Sequence, residues 1–109
     1  MADFVIRDWE LSGYDGDQAP KHVHHSGEEA LVCISGDLEV EIEGDRRRIE
    51  AGEFAVVPRG AVHTFASRSG AHVLAVMTEE IARLVEGLHK APTDEARAAL
   101  WNECRSELV

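Results

Sequence analysis

The stretch HVHHSGEEALVCISG, residues 22–36, places three histidines and two glutamates directly ahead of a near-continuous apolar run. His22 and His24 are two residues apart, and on a strand residues i and i+2 share one face, roughly 7 Å apart by rise. His25 then points the other way. Two imidazoles on one face can occupy two positions on a divalent metal. Glu29, beyond the short Ser26-Gly27 turn, can bring a carboxylate to the same point. An isolated H-x-H pair is also common as plain solvated surface, so this spacing alone leaves both readings open.

The apolar run after it, ALVCIS, is bounded by Glu29 and Gly36, too short for a helix, and reads as a strand buried on both faces. If Glu29 faces the metal, alternation puts Leu31, Cys33 and Ser35 on the same interior face. Cys33 then reads as a small apolar filler. Outward from here, the chain continues as short strands joined by turns. FVIRDWEL precedes the histidines, with the loop GYDGDQAPK between them. In DLEVEIE, Leu38, Val40 and Ile42 alternate with Glu39, Glu41 and Glu43, a period of two. Gly44-Asp45 turns the chain, and RRRIE returns along its partner. FAVV, the turn PRGA, VHTFA and AHVLAVM complete the series, a pattern that suggests a sandwich or barrel.

His63 lies in VHTFA and is the candidate for a further ligand, with Phe65 as its same-face apolar neighbour. Three neutral imidazoles and a carboxylate suit Fe, Mn, Co, Ni, Zn or Cu. In AHVLAVM, His72 alternates with Leu74 and Val76. His72 and Leu74 are placed toward the cavity, His72 either as a proton carrier or as a core or rim histidine.

The pattern changes at Thr78, read as the cap of a helix with Glu79 and Glu80 in its first turn. Ile81, Leu84, Val85 and Leu88 form its apolar stripe, and Pro92 ends it. A second helix is expected from Thr93 or Asp94 to near Leu108, with Ala96, Leu100, Cys104 and Leu108 in line. Trp9 and Trp101 read as packing residues.

The 109 residues suit one domain, with a barrel over about 1–77 and a helical segment over about 78–109. The formal charge of −10, from 21 acidic and 11 basic residues, argues against nucleic acid and anionic lipid as partners. The run Arg46-Arg47-Arg48 reads as a solvated strand face. No stretch approaches the roughly 18 apolar residues of a membrane span, and the N-terminal residues lack signal-peptide features. Cys33 and Cys104 are therefore expected as reduced thiols of a cytoplasmic protein.

Two sets of spacings together resemble the cupin superfamily. Its first motif, G-x5-H-x-H-x3,4-E-x6-G, is met by Gly16, His22, His24, Glu29 and Gly36. The six-residue gap to Gly36 selects Glu29 over Glu28. The second, G-x5-P-x-G-x2-H-x3-N, is met by Gly52, Pro58, Gly60 and His63, with Ser67 at the final position.

The resemblance implies a jelly-roll β-barrel, which the two C-terminal α-helices read above would follow. It also implies one divalent transition metal held by His22, His24, Glu29 and His63 in the barrel mouth, and a homodimer. A fold of this kind hosts many reactions. The expectation is a metal-dependent enzyme on a small organic molecule, of dioxygenase type, with Glu29 as candidate base and Leu31, Cys33, Phe65, His72 and Leu74 lining the cavity. The alternatives are a non-redox isomerase, cyclase or lyase, and a non-catalytic binding or sensing module.

Overall fold

A computed structural model describes residues 3–109. The chain runs β1 (Phe4–Leu11), β2 (His22–His24), β3 (Glu29–Gly36), β4 (Leu38–Ile42), β5 (Asp45–Ile49), β6 (Phe54–Val57), β7 (His63–Ala66) and β8 (Ala71–Thr78). It continues through α1 (Glu79–Lys90), α2 (Asp94–Glu103) and a last strand, β9 (Ser106–Leu108). Two antiparallel sheets result, one ordered β1-β8-β3-β6 and the other β5-β4-β7-β2-β9. Their apolar faces meet in a core that includes Leu31, Cys33, Leu38, Val40, Val73 and Met77, closed at one side by Ile81 of α1. This is a jelly-roll arrangement followed by two helices, as the cupin resemblance and the helical pattern after Thr78 imply.

Turn chemistry explains the strand boundaries. Gly36 has φ +92°, and a Cβ there would lie 2.4 Å from the Gly70 carbonyl oxygen, so only glycine allows this approach. Gly60, with φ +82°, ends the Pro58 turn and donates its N–H to the His24 carbonyl at 2.8 Å. That bond ties the turn before β7 to the strand carrying the first two histidines. Ser67, at the position where the cupin motif has Asn, is buried, and its Oγ accepts from Gly70 N at 3.0 Å. Serine therefore braces the turn between β7 and β8.

Five expectations need correction. The strand β3 is buried on one face only: Glu29, Leu31 and Cys33 are buried, whereas Ile34 on the other face is 43% exposed. Among the described residues its outer apolar side chains Ala30 and Val32 are only partly covered, and Ser35, expected on the inner face, is exposed because the register shifts between Cys33 and Ser35. In β8 the buried set is Ala71, Val73, Ala75 and Met77, so His72 and Leu74 face outward and do not line the cavity. Both alternate sets of β8 are largely apolar, so periodicity fixes which residues share a face but not which face points in. His72 instead bonds Asp8 of β1, Nε2 to Oδ1 at 2.7 Å.

Thr78 occupies the N-cap of α1, but its hydroxyl makes no capping bond and is buried without a partner. Its backbone N–H bonds the Glu28 carbonyl at 3.1 Å, which fixes the residue for sheet closure instead. The second helix, capped by Thr93 Oγ1 accepting from Ala96 N, ends at Glu103 and not near Leu108. Arg105 takes φ +52°, and the chain leaves the helix to enter β9 beside β2. Backbone groups on the free edge of β2 gain partners by this exit, which a continued helix would leave unpaired.

Candidate metal centre

The centre is built from both sheets. Residues His22 and His24 alternate with Val23 on β2, and His63 lies directly opposite His22 on β7. Glu29, the first residue of β3, enters from the facing sheet. All four are buried, none more than 8% exposed. Ring centroids are 4.2 Å apart for His22 and His63, 4.8 Å for His22 and His24, and 5.0 Å for His24 and His63. One potential ligand atom from each of the four lies within 4.8 Å of every other.

The far nitrogen of each ring shows how the near one is aimed. His22 Nδ1 contacts the Pro20 carbonyl at 2.7 Å, and His63 Nδ1 the Ala61 carbonyl at 2.9 Å. A carbonyl only accepts, so in both rings Nδ1 carries the proton and Nε2 carries a lone pair toward the centre. His24 Nδ1 meets the Ser106 hydroxyl at 2.6 Å. Glu29 Oε1 is 2.6 Å from His63 Nε2 and 3.6 Å from His24 Nε2. At 2.6 Å a carboxylate oxygen and an imidazole lone pair repel unless a proton or a cation lies between them, and buried His63 Nε2 has no hydrogen-bond partner.

A buried nitrogen lone pair without a directed donor, two more imidazoles and a carboxylate form a set that one divalent cation would satisfy together. The residues fit such an ion. Outer groups of this kind, holding the far nitrogens, are the usual supports of histidine ligands.

The charges suit the same purpose. Burial is the main force on His22 and, with the neighbouring His63 and His24, pushes its pKa down to about 4, so it is neutral near pH 7. Burial alone would raise the Glu29 carboxyl, but His24 and His63 outweigh it and hold the carboxyl below its ordinary range. Burial would likewise lower His63, and the Glu29 carboxylate raises it further than burial lowers it. Without a cation, the His63–Glu29 pair therefore holds a proton more tightly than an ordinary histidine does.

Leu31 and Cys33 continue the inner face of β3 beyond Glu29, both at most 1% exposed. Phe65 is two residues beyond His63 and stacks on Trp9, centroids 6.2 Å apart and planes 18° apart. His25 and Glu28 lie outside the centre: His25 faces Glu107 at 3.2 Å, and Glu28 contacts Arg59 at 3.3 Å. Sequence spacing assigns no role here to Ser106 or to Trp101, whose ring meets His22 edge-on at 5.7 Å. The alternation of Cys104 and Ser106 as buried residues was the available signal, and a helical i+4 spacing masked it.

A cleft of about 880 Å³ lies outside this centre, between α1 and the Ser26–Glu28 turn, with Arg59, Arg83 and Arg105 among its walls. A smaller one of about 80 Å³ is lined by Trp9, Met77 and Val85.

Comparison with known proteins agrees with this architecture. The cupin domain family matches residues 14–78, which include all four residues of the centre, and the chain belongs to that family. Quercetin 2,3-dioxygenase of Bacillus subtilis (strain 168) is 36% identical over 59 residues, 54% of this chain but 18% of the enzyme. The chain thus spans under a fifth of that relative's length. A cupin-2 domain protein from Shewanella frigidimarina NCIMB 400 superposes with TM-score 0.60 at 20% identity, covering 70% of this chain and 71% of that one. A sugar phosphate isomerase of the cupin superfamily from Silicibacter pomeroyi DSS-3 gives 0.62 at 22% identity, over 72% and 52%. At these identities the two structures attest to the fold alone.

Proposed function

We propose that the protein holds one divalent transition metal through His22, His24, Glu29 and His63 and acts on a small organic molecule by dioxygenase-type chemistry. The observation that carries this reading is the convergence of the four buried side chains, with the far nitrogens of the rings already engaged. The stretch shared with a quercetin 2,3-dioxygenase supports the choice of reaction type.

When bound, the metal would supply a redox-capable or Lewis-acidic centre for an enol, diketone or phenol. This chain's residues do the rest. Neutral His22 offers its lone pair without competing for a proton. The Glu29 carboxylate, kept ionised by its neighbours, balances the cation's charge, and once freed from the histidines it can accept a substrate proton. Leu31, Cys33 and Phe65 give the site apolar walls that exclude water.

A second reading, a non-catalytic binding or sensing module, is favoured by the enclosure of the centre, since none of the four side chains is more than 8% exposed. Oxygen uptake by Fe- or Mn-loaded protein across enols, diketones and phenols separates the two. Uptake with one of these classes, lost in His63→Ala, is expected. Retained metal with no uptake for any class rejects the dioxygenase reading and leaves the binding module.

The protein is further expected to pair with a second copy. The outer face of the four-stranded sheet carries a row from Ile6 through Val76 and Ala30 to Val56 across all four strands. A second row joins Leu74, Val32 and Phe54. Ile6, Phe54 and Val56 are each more than half exposed, an uncovered apolar face that a self-complementary contact would bury. Sedimentation should give a dimer, and Phe54→Glu should shift it to monomer; a monomeric wild type would refute the pairing. The two cysteines are free and buried.

A further inference from the structure

We propose that Ser106, on the C-terminal strand, is a positioning residue for the metal centre: it fixes the proton of His24 on Nδ1 and so aims the Nε2 lone pair at the metal. The proposal rests on the metal reading above, and extends the centre to the far end of the chain.

The geometry assigns the direction of each bond. Ser106 Oγ lies 2.6 Å from His24 Nδ1 and 3.2 Å from the Cys104 carbonyl oxygen. A carbonyl only accepts, so the hydroxyl spends its one proton on Cys104. With that proton spent, the hydroxyl oxygen can only accept from His24, which must carry its proton on Nδ1. His22 and His63 are held in the same tautomer by the Pro20 and Ala61 carbonyls. His24 is the one ligand ring whose far nitrogen meets a side chain, and that side chain arrives from 82 residues away. Ser106 is 5% exposed, so water offers little substitute.

The strand that brings Ser106 also holds the strand that carries the ligands. β2 pairs with β7 at a single position, His22 opposite His63. On its other side it pairs with β9 at three, including His24 opposite Ser106. Two further backbone bonds, His25 N to Arg105 O at 2.8 Å and Val109 N to Lys21 O at 3.0 Å, extend that clasp at both ends.

Two readouts test the proposal. Titration of metal-free wild type, Ser106→Ala and Ser106→Thr with Mn²⁺, followed by calorimetry, should show roughly 10- to 100-fold weaker binding for the alanine variant. Threonine, which keeps the hydroxyl, should recover most of the loss. Nitrogen-15 spectra of the metal-free protein at about pH 8, where an ordinary histidine is neutral, should place the His24 proton on Nδ1 in wild type. The alanine variant should shift it toward Nε2. Unchanged affinity in Ser106→Ala, with binding abolished in His63→Ala, would overturn the proposal while sparing the metal reading. If wild type takes up no metal, the metal reading fails and the spectra decide the positioning role alone. A His24 proton on Nε2 in wild type overturns it, since the hydroxyl would then be donating to the ring.

Discussion

The two ends of the five-stranded sheet are built on opposite principles. At one end β4 and β5 form a hairpin whose pairing runs from Ile42 opposite Asp45 back to Leu38 opposite Ile49. Its two-residue turn, Glu43 and Gly44, has positive φ at both positions, the geometry whose twist matches paired strands. Charge completes it, with Arg46 meeting Asp17, Glu39 and Glu41 at 2.9, 3.3 and 3.3 Å. At the other end β2 has three residues, carries two of the four candidate ligands, and leans on a strand from the far end of the chain. The first end is closed by neighbours in sequence. The second closes only when the whole chain has folded, at the larger entropy cost of a long loop. Chemistry has been placed at the end that depends on global closure.

Removing residues 104–109 breaks this contrast most severely. It deletes buried Cys104 and Ser106 and uncovers the edge of β2. Urea unfolding should show a loss of about 3 kcal/mol or more from the lost burial and unpaired backbone groups, together with loss of metal. An unchanged midpoint would mean that β9 is an ornament.

The pH dependence of the metal-free protein tests the site end next. Folded His22 sits at about 4, against 6.5 for an ordinary histidine. Between those values the unfolded chain takes up a proton that folded His22 refuses, so stability falls as pH falls from 6.5 toward 4. The full change is about 3 kcal/mol. His63 is shifted upward, so its contribution is complete below 6.5 and is lost as pH rises through its raised folded value. Stability should therefore peak near 6.5, and His22→Gln should flatten the acid limb. A flat profile in wild type would contradict the buried, neutral His22. Metal affinity should rise with pH as the His63 proton leaves.

The hairpin end should respond mildly. Gly44→Ala meets no atom within 4 Å but places a Cβ at φ +82°, a strain costing about 1 kcal/mol. Arg46→Ala should cost less, about 0.5 kcal/mol, and the difference should shrink in salt. Neither should alter metal content, and a change in metal content with either would tie the two ends together.

What the sequence made legible follows the same division. DLEVEIE displays β4 through strict alternation, RRRIE follows it as β5 after a Gly turn, and FVIRDWEL matches β1 residue for residue. The histidine spacings brought out the centre because glycines and a proline set the turns that deliver it. The phase of β8 stayed hidden, since His72, Leu74 and Val76 are as plausible a core face as Val73, Ala75 and Met77 until both sheets are present. β3 reads as buried on both sides because its outer face is apolar too, whereas among the described residues Ile34 is left 43% exposed. β9 was absorbed into a helix because Leu100, Cys104 and Leu108 fit an i+4 stripe. Only the unpaired edge of β2 gives that segment a reason to extend, and a local pattern carries no trace of an edge 82 residues away.

The central claim, that His22, His24, Glu29 and His63 converge to hold one metal, is tested most directly by elemental analysis of protein purified without chelators, beside its His63→Ala variant. The account predicts one equivalent of a divalent transition metal in the wild type and almost none in the variant, with both proteins folded. No metal in the wild type, or equal metal in both, would contradict it.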